Sequence, residues 1–197
     1  MTEEIDRGRR QLLTVATSLT GAVGVAFAAA PFLSSWQPSA RAKALGAPVE
    51  IDISKLEPGA MLKIEWRGKP IYIVRRTPEM VGQLASHDAL LADPQSEQSR
   101  QPEYTKNTAR AIKPEYFIVQ GVCTHLGCAP MGRFEPGQAE LGADWPGGFY
   151  CPCHGSKFDL AGRVFRGVPA PTNLEVPPYT FAGDGVVVIG QDHAVGA

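Results

Sequence analysis

The sequence predicts a mostly β, antiparallel domain that is preceded by one N-terminal transmembrane helix. Two observations predict the β domain: short runs in which apolar and polar residues alternate, and clusters of turn residues between those runs. A third, a long run without charged residues near the N-terminus, predicts the membrane helix. With 197 residues, of which 44 % are hydrophobic, the chain is long enough for one globular domain and an additional segment. The formal net charge of -1 leaves no basic surplus, so nucleic-acid binding is not expected.

Residues 12–33 form the predicted transmembrane anchor. Their sequence, LLTVATSLTGAVGVAFAAAPFL, carries no charge, and as a helix it would be about 33 Å long, which is enough to cross a bilayer. A secretory signal core is usually only about 7 to 15 residues long, so the length favours a retained anchor. The alternative, a removed signal, finds support in the small residues of ARAKA at 40–44.

Residues 1–11 are predicted to be a cytoplasmic N-terminus with an export signal. The stretch RGRRQLL, in which Arg9 and Arg10 are adjacent, resembles a twin-arginine signal, whose route carries folded proteins across the membrane. The alternative is ordinary positive charge on the cytoplasmic side, to which Arg7 also contributes. Both interpretations put the remaining chain outside, in an oxidising compartment.

Residues 34–48 are rich in Ala, Pro and Ser, lack periodicity, and are predicted to be a flexible linker or hinge. The β domain is predicted over 49–197. Its first strand alternates from Val49 to Ile53, and MLKIEW at 61–66 and IYIVRR at 71–76 are predicted to continue it as a three-stranded meander.

Thr77 followed by proline predicts a helix start, with one short helix as far as Leu91. Residues 92–113 are polar and predict a surface loop. Strands are predicted at 115–122 and 147–151, each leading into a loop with cysteine and histidine.

Two hairpins are predicted after those loops. KFDLAGRVF at 157–165 forms the first, and YTFAGDGVVVIG at 179–190 forms the second, with its turn at 183–185. Between them lies the proline-rich GVPAP at 167–171.

The loops CTHLGC at 123–128 and CPCHGS at 151–156 hold all 4 cysteines and two of the 4 histidines. Each loop can donate one thiolate and one imidazole to a shared metal site. One further cysteine per loop then remains, and in an exported domain two such cysteines can form a disulfide. His87 and His193 lie in polar or terminal contexts, and no metal role is expected for them.

These loops resemble those of the Rieske iron-sulfur proteins, most closely the Rieske subunits of bacterial ubiquinol:cytochrome c reductase. The resemblance covers about 115–171 in detail. It implies a Rieske-type domain with a small cluster-binding subdomain at about 120–171 and one 2Fe-2S cluster. It also implies the cluster ligands and the disulfide: Cys123 and Cys151 on one iron, His125 and His154 on the other, and a bond between Cys128 and Cys153.

Mixed ligation changes the charge of such a cluster. Neutral imidazoles in place of thiolates raise the potential to between about -150 and +300 mV, against about -400 mV for plant-type ferredoxins. Quinol is therefore a feasible electron donor. An imidazole nitrogen that is not bound to iron can also exchange a proton, which couples proton and electron uptake.

The surroundings of the cluster are implied by the same resemblance. Small residues such as Gly127 and Gly155 expose N-H groups to the sulfurs, and the Ser156 hydroxyl is expected to donate another hydrogen bond. Many high-potential relatives place Tyr two residues after this serine, whereas this chain has Phe158. Leu126 and Pro169 are expected to cover the cluster, with ordinary loop packing as the alternative.

The implied function is oxidation of ubiquinol and delivery of the electron to a c-type cytochrome, as a subunit of a translocating quinol-cytochrome c reductase. His154 would accept the proton at the cytochrome b subunit, and residues 40–48 would act as a hinge. The resemblance implies a dimeric complex in the bacterial inner membrane, with one span, a cytoplasmic N-terminus and a periplasmic cluster domain.

Three alternatives stay open. A structural zinc site would use the same Cys and His donors but would leave the additional cysteines without a role. The Rieske subunit of arsenite oxidase is exported by the same route and has similar loops. A soluble Rieske ferredoxin would lack both the anchor and the disulfide cysteines.

Overall fold

The computed structural model describes residues 6–193 and divides the chain into two compact units, Met1–Ala44 and Leu45–Ala197. The first unit is dominated by helix α1, Arg7–Ser35. Asp6 caps this helix, because its carboxylate accepts hydrogen bonds from the backbone N-H groups of Gly8 and Arg9 at 3.0 and 3.1 Å. The predicted anchor, 12–33, therefore lies inside one continuous helix.

Helix α1 has the properties of a membrane-spanning helix. Its 29 residues correspond to about 43 Å at about 1.5 Å per residue, and it belongs to a stretch that is long and apolar enough to cross a membrane. The hydroxyls of Thr14, Thr17 and Thr20 donate hydrogen bonds to carbonyls one turn earlier, at 2.8–2.9 Å. These three hydroxyls are thus satisfied within the helix, as is favourable in a bilayer.

The segment predicted as an irregular linker contains a second helix, α2, Ala40–Gly46. The Ser39 hydroxyl accepts a hydrogen bond from the N-H of Ala42 at 3.1 Å and so caps this helix. Three of its seven residues are alanine, which has the highest helix propensity, and this favours the helix despite the lack of an apolar stripe. The predicted linker 34–48 therefore contains a short helix, and its role as a flexible linker or hinge stays a prediction.

The second unit contains two antiparallel sheets outside the predicted cluster-binding part. One has the order β2-β3-β4, and the other has the order β1-β9-β8. Their strands are β1 Val49–Asp52, β2 Met61–Trp66, β3 Lys69–Arg75, β4 Tyr116–Gln120, β8 Tyr179–Phe181 and β9 Val186–Ile189. Arg67 and Gly68, both with positive φ, form the tight turn between β2 and β3.

The predicted meander is wrong in its first strand. β1 pairs with β9, from Val49 opposite Ile189 to Asp52 opposite Val186, and the third strand of the β2-β3 sheet is β4. Alternation identifies a half-buried strand but does not encode which distant strand completes its sheet. The hairpin of β8 and β9 is confirmed.

The chain between β3 and β4 is more ordered than predicted. Helix α3 covers Pro78–Gly82 with Thr77 as its N-cap, and a 3-10 helix, Leu84–Leu90, follows it. The predicted surface loop 92–113 is partly buried, and Arg110 within it is 0 % exposed. Its guanidinium donates hydrogen bonds to the carbonyls of Ala161, Gly162 and Leu174, which draws the loop onto the domain.

A third antiparallel sheet, with the order β5-β6-β7, lies within residues 131–158. It consists of β5 Met131–Arg133, β6 Gly148–Cys151 and β7 Ser156–Phe158. Phe149 and Phe158 are neighbours across β6 and β7 and belong to the same buried core as Ile73, Phe117 and Val187. One hydrophobic core therefore supports all three sheets, with the small sheet carrying the predicted cluster-binding part.

Candidate functional site

The first Cys/His loop leaves β4 and turns back on itself. The N-H of Cys123 donates to the carbonyl of Cys128 at 2.7 Å, and the N-H of Gly127 donates to the carbonyl of Cys123 at 2.9 Å. Gly127 has a φ of 83°, a conformation in which a side chain would be strained. The loop is therefore a closed turn with His125 and Leu126 at its tip.

The second loop connects β6 to β7. Cys151 is paired with Ser156 across the hairpin, and the N-H of Gly155 donates to the carbonyl of Cys151 at 3.0 Å. Gly155 has a φ of 80°, which allows the chain to re-enter the sheet at Ser156. Both loops thus place a cysteine at the base and a histidine at the tip.

The structure brings the four expected ligand residues together. Cys123 and Cys151 are each 2 % exposed and are free thiols. The rings of His125 and His154 lie edge to face, with centroids 4.8 Å apart and an interplanar angle of 87°. His154 is exposed and His125 is half-buried. The donor set therefore has a buried sulfur side and an outer imidazole side.

The electrostatics of the sulfur side disfavour an ionised Cys123 thiol unless a positive charge is bound there. Burial raises the pKa of the Cys123 thiol, although hydrogen bonds from the His125 backbone and the Ser156 hydroxyl act in the opposite direction. The neighbouring Cys151 raises this pKa further. Two adjacent buried thiols ionise only beside a positive charge, which a bound metal ion supplies.

A disulfide joins the other two cysteines, Cys128 and Cys153, whose Cα atoms are 6.7 Å apart. The sulfur of Cys151 lies within 4.8 Å of both disulfide sulfurs, so these three cysteines have the spacing of a metal site. Two of the three sulfurs are bonded to each other, so the cysteines of the two loops that remain free are Cys151 and Cys123. The disulfide links the two loops directly beside those donors.

The proline-rich segment 167–171 is held against both loops. The N-H of Ala170 donates to the Ser156 hydroxyl at 3.1 Å, and the hydroxyl of Thr124 donates to the carbonyl of Thr172 at 2.6 Å. Thr124 was not identified from the sequence, because its partner is 48 residues away and the spacing of the motif gives no indication of it.

The remaining residues expected around the site differ in exposure. Leu126 is 72 % exposed, which leaves an apolar side chain at the tip beside the imidazoles. Pro169 is also exposed. Phe158 is 0 % exposed and lies in β7, two residues after Ser156. His87 and His193 lie outside both loops, and the Nδ1 of His193 is 3.0 Å from the hydroxyl of Thr180.

Two family models match the chain. The model described as "Rieske [2Fe-2S] domain" matches residues 48–179, and the model described as "Ubiquitinol-cytochrome C reductase Fe-S subunit TAT signal" matches residues 2–39. The first match contains both loops and the second contains Arg9 and Arg10.

Similar proteins cover nearly the whole chain. The ubiquinol-cytochrome c reductase iron-sulfur subunit of Allochromatium vinosum is 57% identical over 188 residues, which is 95% of this chain and 91% of that protein. The subunit of the same name in Blastochloris viridis is 44% identical over 183 residues, 92% of each chain. A chain in the solved structure titled "Hyperthermophilic respiratory Complex III" is 27% identical, with a TM-score of 0.47, and the alignment covers 88% of this chain and 98% of that one.

Proposed function

Because this chain belongs to the Rieske [2Fe-2S] iron-sulfur subunits of ubiquinol-cytochrome c reductase, we propose that the sulfur and imidazole groups of its two loops hold the cluster. The protein carries electrons within that complex and uses a Rieske-type 2Fe-2S cluster. The proposed ligands are divided between the two irons, with Cys123 and Cys151 on the inner iron and His125 and His154 on the outer one.

The donor arrangement is the observation that carries this proposal. Two buried thiols adjoin each other, and two imidazoles lie 4.8 Å apart on the outer side. This separation of sulfur from nitrogen fits a two-iron cluster with two Cys on one iron and two His on the other. When bound, the cluster supplies one-electron redox chemistry at a potential above that of all-Cys clusters.

The exposed imidazole of His154 is proposed to bind the quinol. A ring nitrogen that is not bound to iron can accept a hydrogen bond from a ubiquinol hydroxyl and then take up its proton. The exposed apolar side chain of Leu126, which follows His125 in the chain, is proposed to contact the quinone pocket of a cytochrome b partner. His125 is half-buried and therefore less able to reach a substrate.

The chain between the two helices is proposed to let the second unit move between its partners. The carbonyl of Ala47 accepts a 3.0 Å hydrogen bond from the indole of Trp66, so the chain is already held to the β domain at that residue. The hinge is therefore proposed at 36–39, between α1 and α2, rather than at 40–48. Such a hinge would let the cluster reach cytochrome b and then a c-type cytochrome in what we propose is a dimeric complex.

The protein is membrane-anchored and exported, as the match to a TAT-signal model and the apolar helix α1 indicate. We propose that α1 crosses the inner membrane once, with Arg9 and Arg10 on the cytoplasmic side and residues 45–193 in the periplasm. The disulfide between Cys128 and Cys153 supports this orientation, because disulfides persist in oxidising compartments.

An electron paramagnetic resonance spectrum of the dithionite-reduced protein tests the ligand assignment. A mixed Cys/His cluster gives a spectrum distinct from an all-Cys cluster, and a structural zinc site gives no signal. We expect the mixed-ligand spectrum in wild type and its loss in the His154→Ala and Cys123→Ala variants. A zinc content of one per chain without iron or acid-labile sulfide would overturn the proposal.

A further inference from the structure

Tyr72 is a side chain outside the two loops that contacts the segments carrying both of them. It lies in β3 and is 2 % exposed. Its hydroxyl donates a 3.0 Å hydrogen bond to the carbonyl of Pro130, two residues beyond Cys128. Its ring stacks on Phe149, two residues before Cys151, with centroids 6.2 Å apart and an interplanar angle of 14°.

The chain that enters the first loop also passes close to this ring. The N-H of Gly121, two residues before Cys123, donates to the carbonyl of Pro70 at 2.8 Å. A Cβ atom added at Gly121 would overlap the Tyr72 ring. Only glycine therefore lets the backbone pass at this distance. The ring thus lies against the entry to the first loop as well as against β6.

The Tyr72 hydroxyl is suited to a fixed, directional contact. Its partner is a backbone carbonyl, which can only accept, so the phenol must donate. Burial raises the pKa of Tyr72, which keeps the hydroxyl protonated. A buried hydrogen bond of this kind holds its two groups in one geometry, because breaking it leaves both without a partner.

We propose that Tyr72 is a positioning residue that sets the separation of the two ligand loops and thereby the geometry of the cluster. The hydroxyl holds the exit of the first loop, and the ring supports the strand that leads to the second. The disulfide fixes the two loops to each other, whereas Tyr72 fixes both to the β2-β3-β4 sheet. This inference rests on the proposed ligand role of Cys123 and Cys151.

The Tyr72→Phe variant in the intact, membrane-extracted complex tests this role. The substitution keeps the ring and its stacking on Phe149 and removes only the hydrogen bond to Pro130. We expect the reduced cluster to give broader resonance lines, because the ligand geometry is then distributed over a wider range. We also expect iron to be lost to a chelator roughly fivefold faster, the change that the loss of one net hydrogen bond produces.

Tyr179→Phe is the matched control. Tyr179 is also buried, and its hydroxyl accepts a 2.9 Å hydrogen bond from the N-H of Ile112. Its ring contacts Tyr104 and Phe181, so its partners lie outside both ligand loops and the segments next to them. Both variants are expected to lower the thermal unfolding temperature. Only Tyr72→Phe should change the line widths and the chelation rate.

The outcomes separate this inference from the function on which it rests. A Tyr72→Phe protein with wild-type line widths and a wild-type chelation rate overturns the positioning role, even if its unfolding temperature falls. Absence of a cluster in the wild-type protein overturns the proposed function instead.

Gly121→Ala gives a second, independent test of the contact between the Tyr72 ring and the entry to the first loop. The added methyl group must displace the Tyr72 ring, so the same line broadening is expected. Combining Gly121→Ala with Tyr72→Leu removes the overlap. The double variant should then have the same line widths and the same chelation rate as Tyr72→Leu alone. Additive effects of the two substitutions would contradict the proposed contact.

Discussion

The backbone N-H of Ala170 donates a 3.1 Å hydrogen bond to the hydroxyl oxygen of Ser156. Both residues are buried, at 5 % and 0 % exposure. The hydroxyl proton of Ser156 remains available to donate toward the sulfur of Cys123, and the bond from Ala170 strengthens it as a donor. The proline-rich segment therefore acts on the sulfur side of the site through one serine.

Phe158→Tyr is expected to raise the midpoint potential of the cluster. Phe158 is buried in β7, two residues after Ser156, where many high-potential relatives have a tyrosine that donates to a ligand sulfur. One hydrogen bond of about 0.5–1.5 kcal/mol that forms mainly in the reduced state corresponds to about 20–65 mV. Voltammetry measures the shift. Phe181→Tyr, which adds the same group in β8, should leave the potential unchanged, and an unchanged Phe158→Tyr potential would refute the explanation.

Replacing Cys128 and Cys153 together by serine is expected to weaken the cluster site without preventing export. The bond closes a sequence separation of 25 residues, for which the chain-entropy model gives about 3 to 4 kcal/mol. Iron and acid-labile sulfide should be lost faster during purification, while fractionation still finds the protein outside the cytoplasm. Wild-type retention of iron in the double variant would show that the disulfide does not support the ligand loops.

Arg163→Met is expected to destabilise the second unit strongly. The guanidinium of Arg163 is buried and bonds the buried carboxylate of Asp159 at 2.8 Å and the half-buried Asp88 at 2.7 Å. Removing one partner of a buried ion pair costs about 3–5 kcal/mol, because the other charge stays buried. Thermal unfolding followed by circular dichroism measures the loss. The surface pair Lys106–Glu103 provides the control: Lys106→Met should cost less than about 1 kcal/mol.

Gln37→Pro tests the proposed hinge. It would place two prolines in succession with Pro38, between α1 and α2, and restrict the backbone there. Steady-state ubiquinol:cytochrome c turnover should fall severalfold while the spectrum of the cluster stays as in wild type. Gln37→Ala is the control for loss of the side chain. Equal turnover of the two variants would count against a hinge in this segment.

Replacing Arg9 and Arg10 together by lysine is expected to block export. The charge is conserved, so a simple requirement for positive charge on the cytoplasmic side predicts no effect, whereas a twin-arginine route requires the arginines. Cell fractionation should find the protein accumulating in the cytoplasm. Arg7→Lys, on the same turn of α1, serves as control. If the double variant is exported in normal amounts, Arg9 and Arg10 act only as positive charge on the cytoplasmic side of the helix.

Local sequence patterns predicted the positions of the two loops better than they predicted the pairing of the strands. The two loops, the anchor and the β8–β9 hairpin depend on neighbouring residues, and motif or alternation shows them directly. The partner of β1 depends on a strand near the other end of the domain. Burial of the 92–113 loop depends on Arg110 reaching three distant carbonyls, which composition alone cannot indicate.

The contacts that support the two loops could likewise not be predicted from the motif. Thr124 lies inside the first loop, but its hydroxyl bonds a carbonyl 48 residues away. Tyr72 reaches Pro130 across 58 residues. An ordinary strand residue and an ordinary loop residue acquire these roles only when the fold brings their partners near. The ligand types follow from the sequence, whereas the groups that hold them follow from the tertiary structure.

If Leu126 contacts cytochrome b as proposed, its exposed side chain limits how tightly the second unit can dock. Burying one leucine side chain yields only about 1.5–3 kcal/mol, which for two free molecules would be negligible binding. A short tether to a shared membrane would give an effective concentration in the millimolar range, at which such a contact would be formed for part of the time. The proposed docking contact would therefore form repeatedly and be released easily.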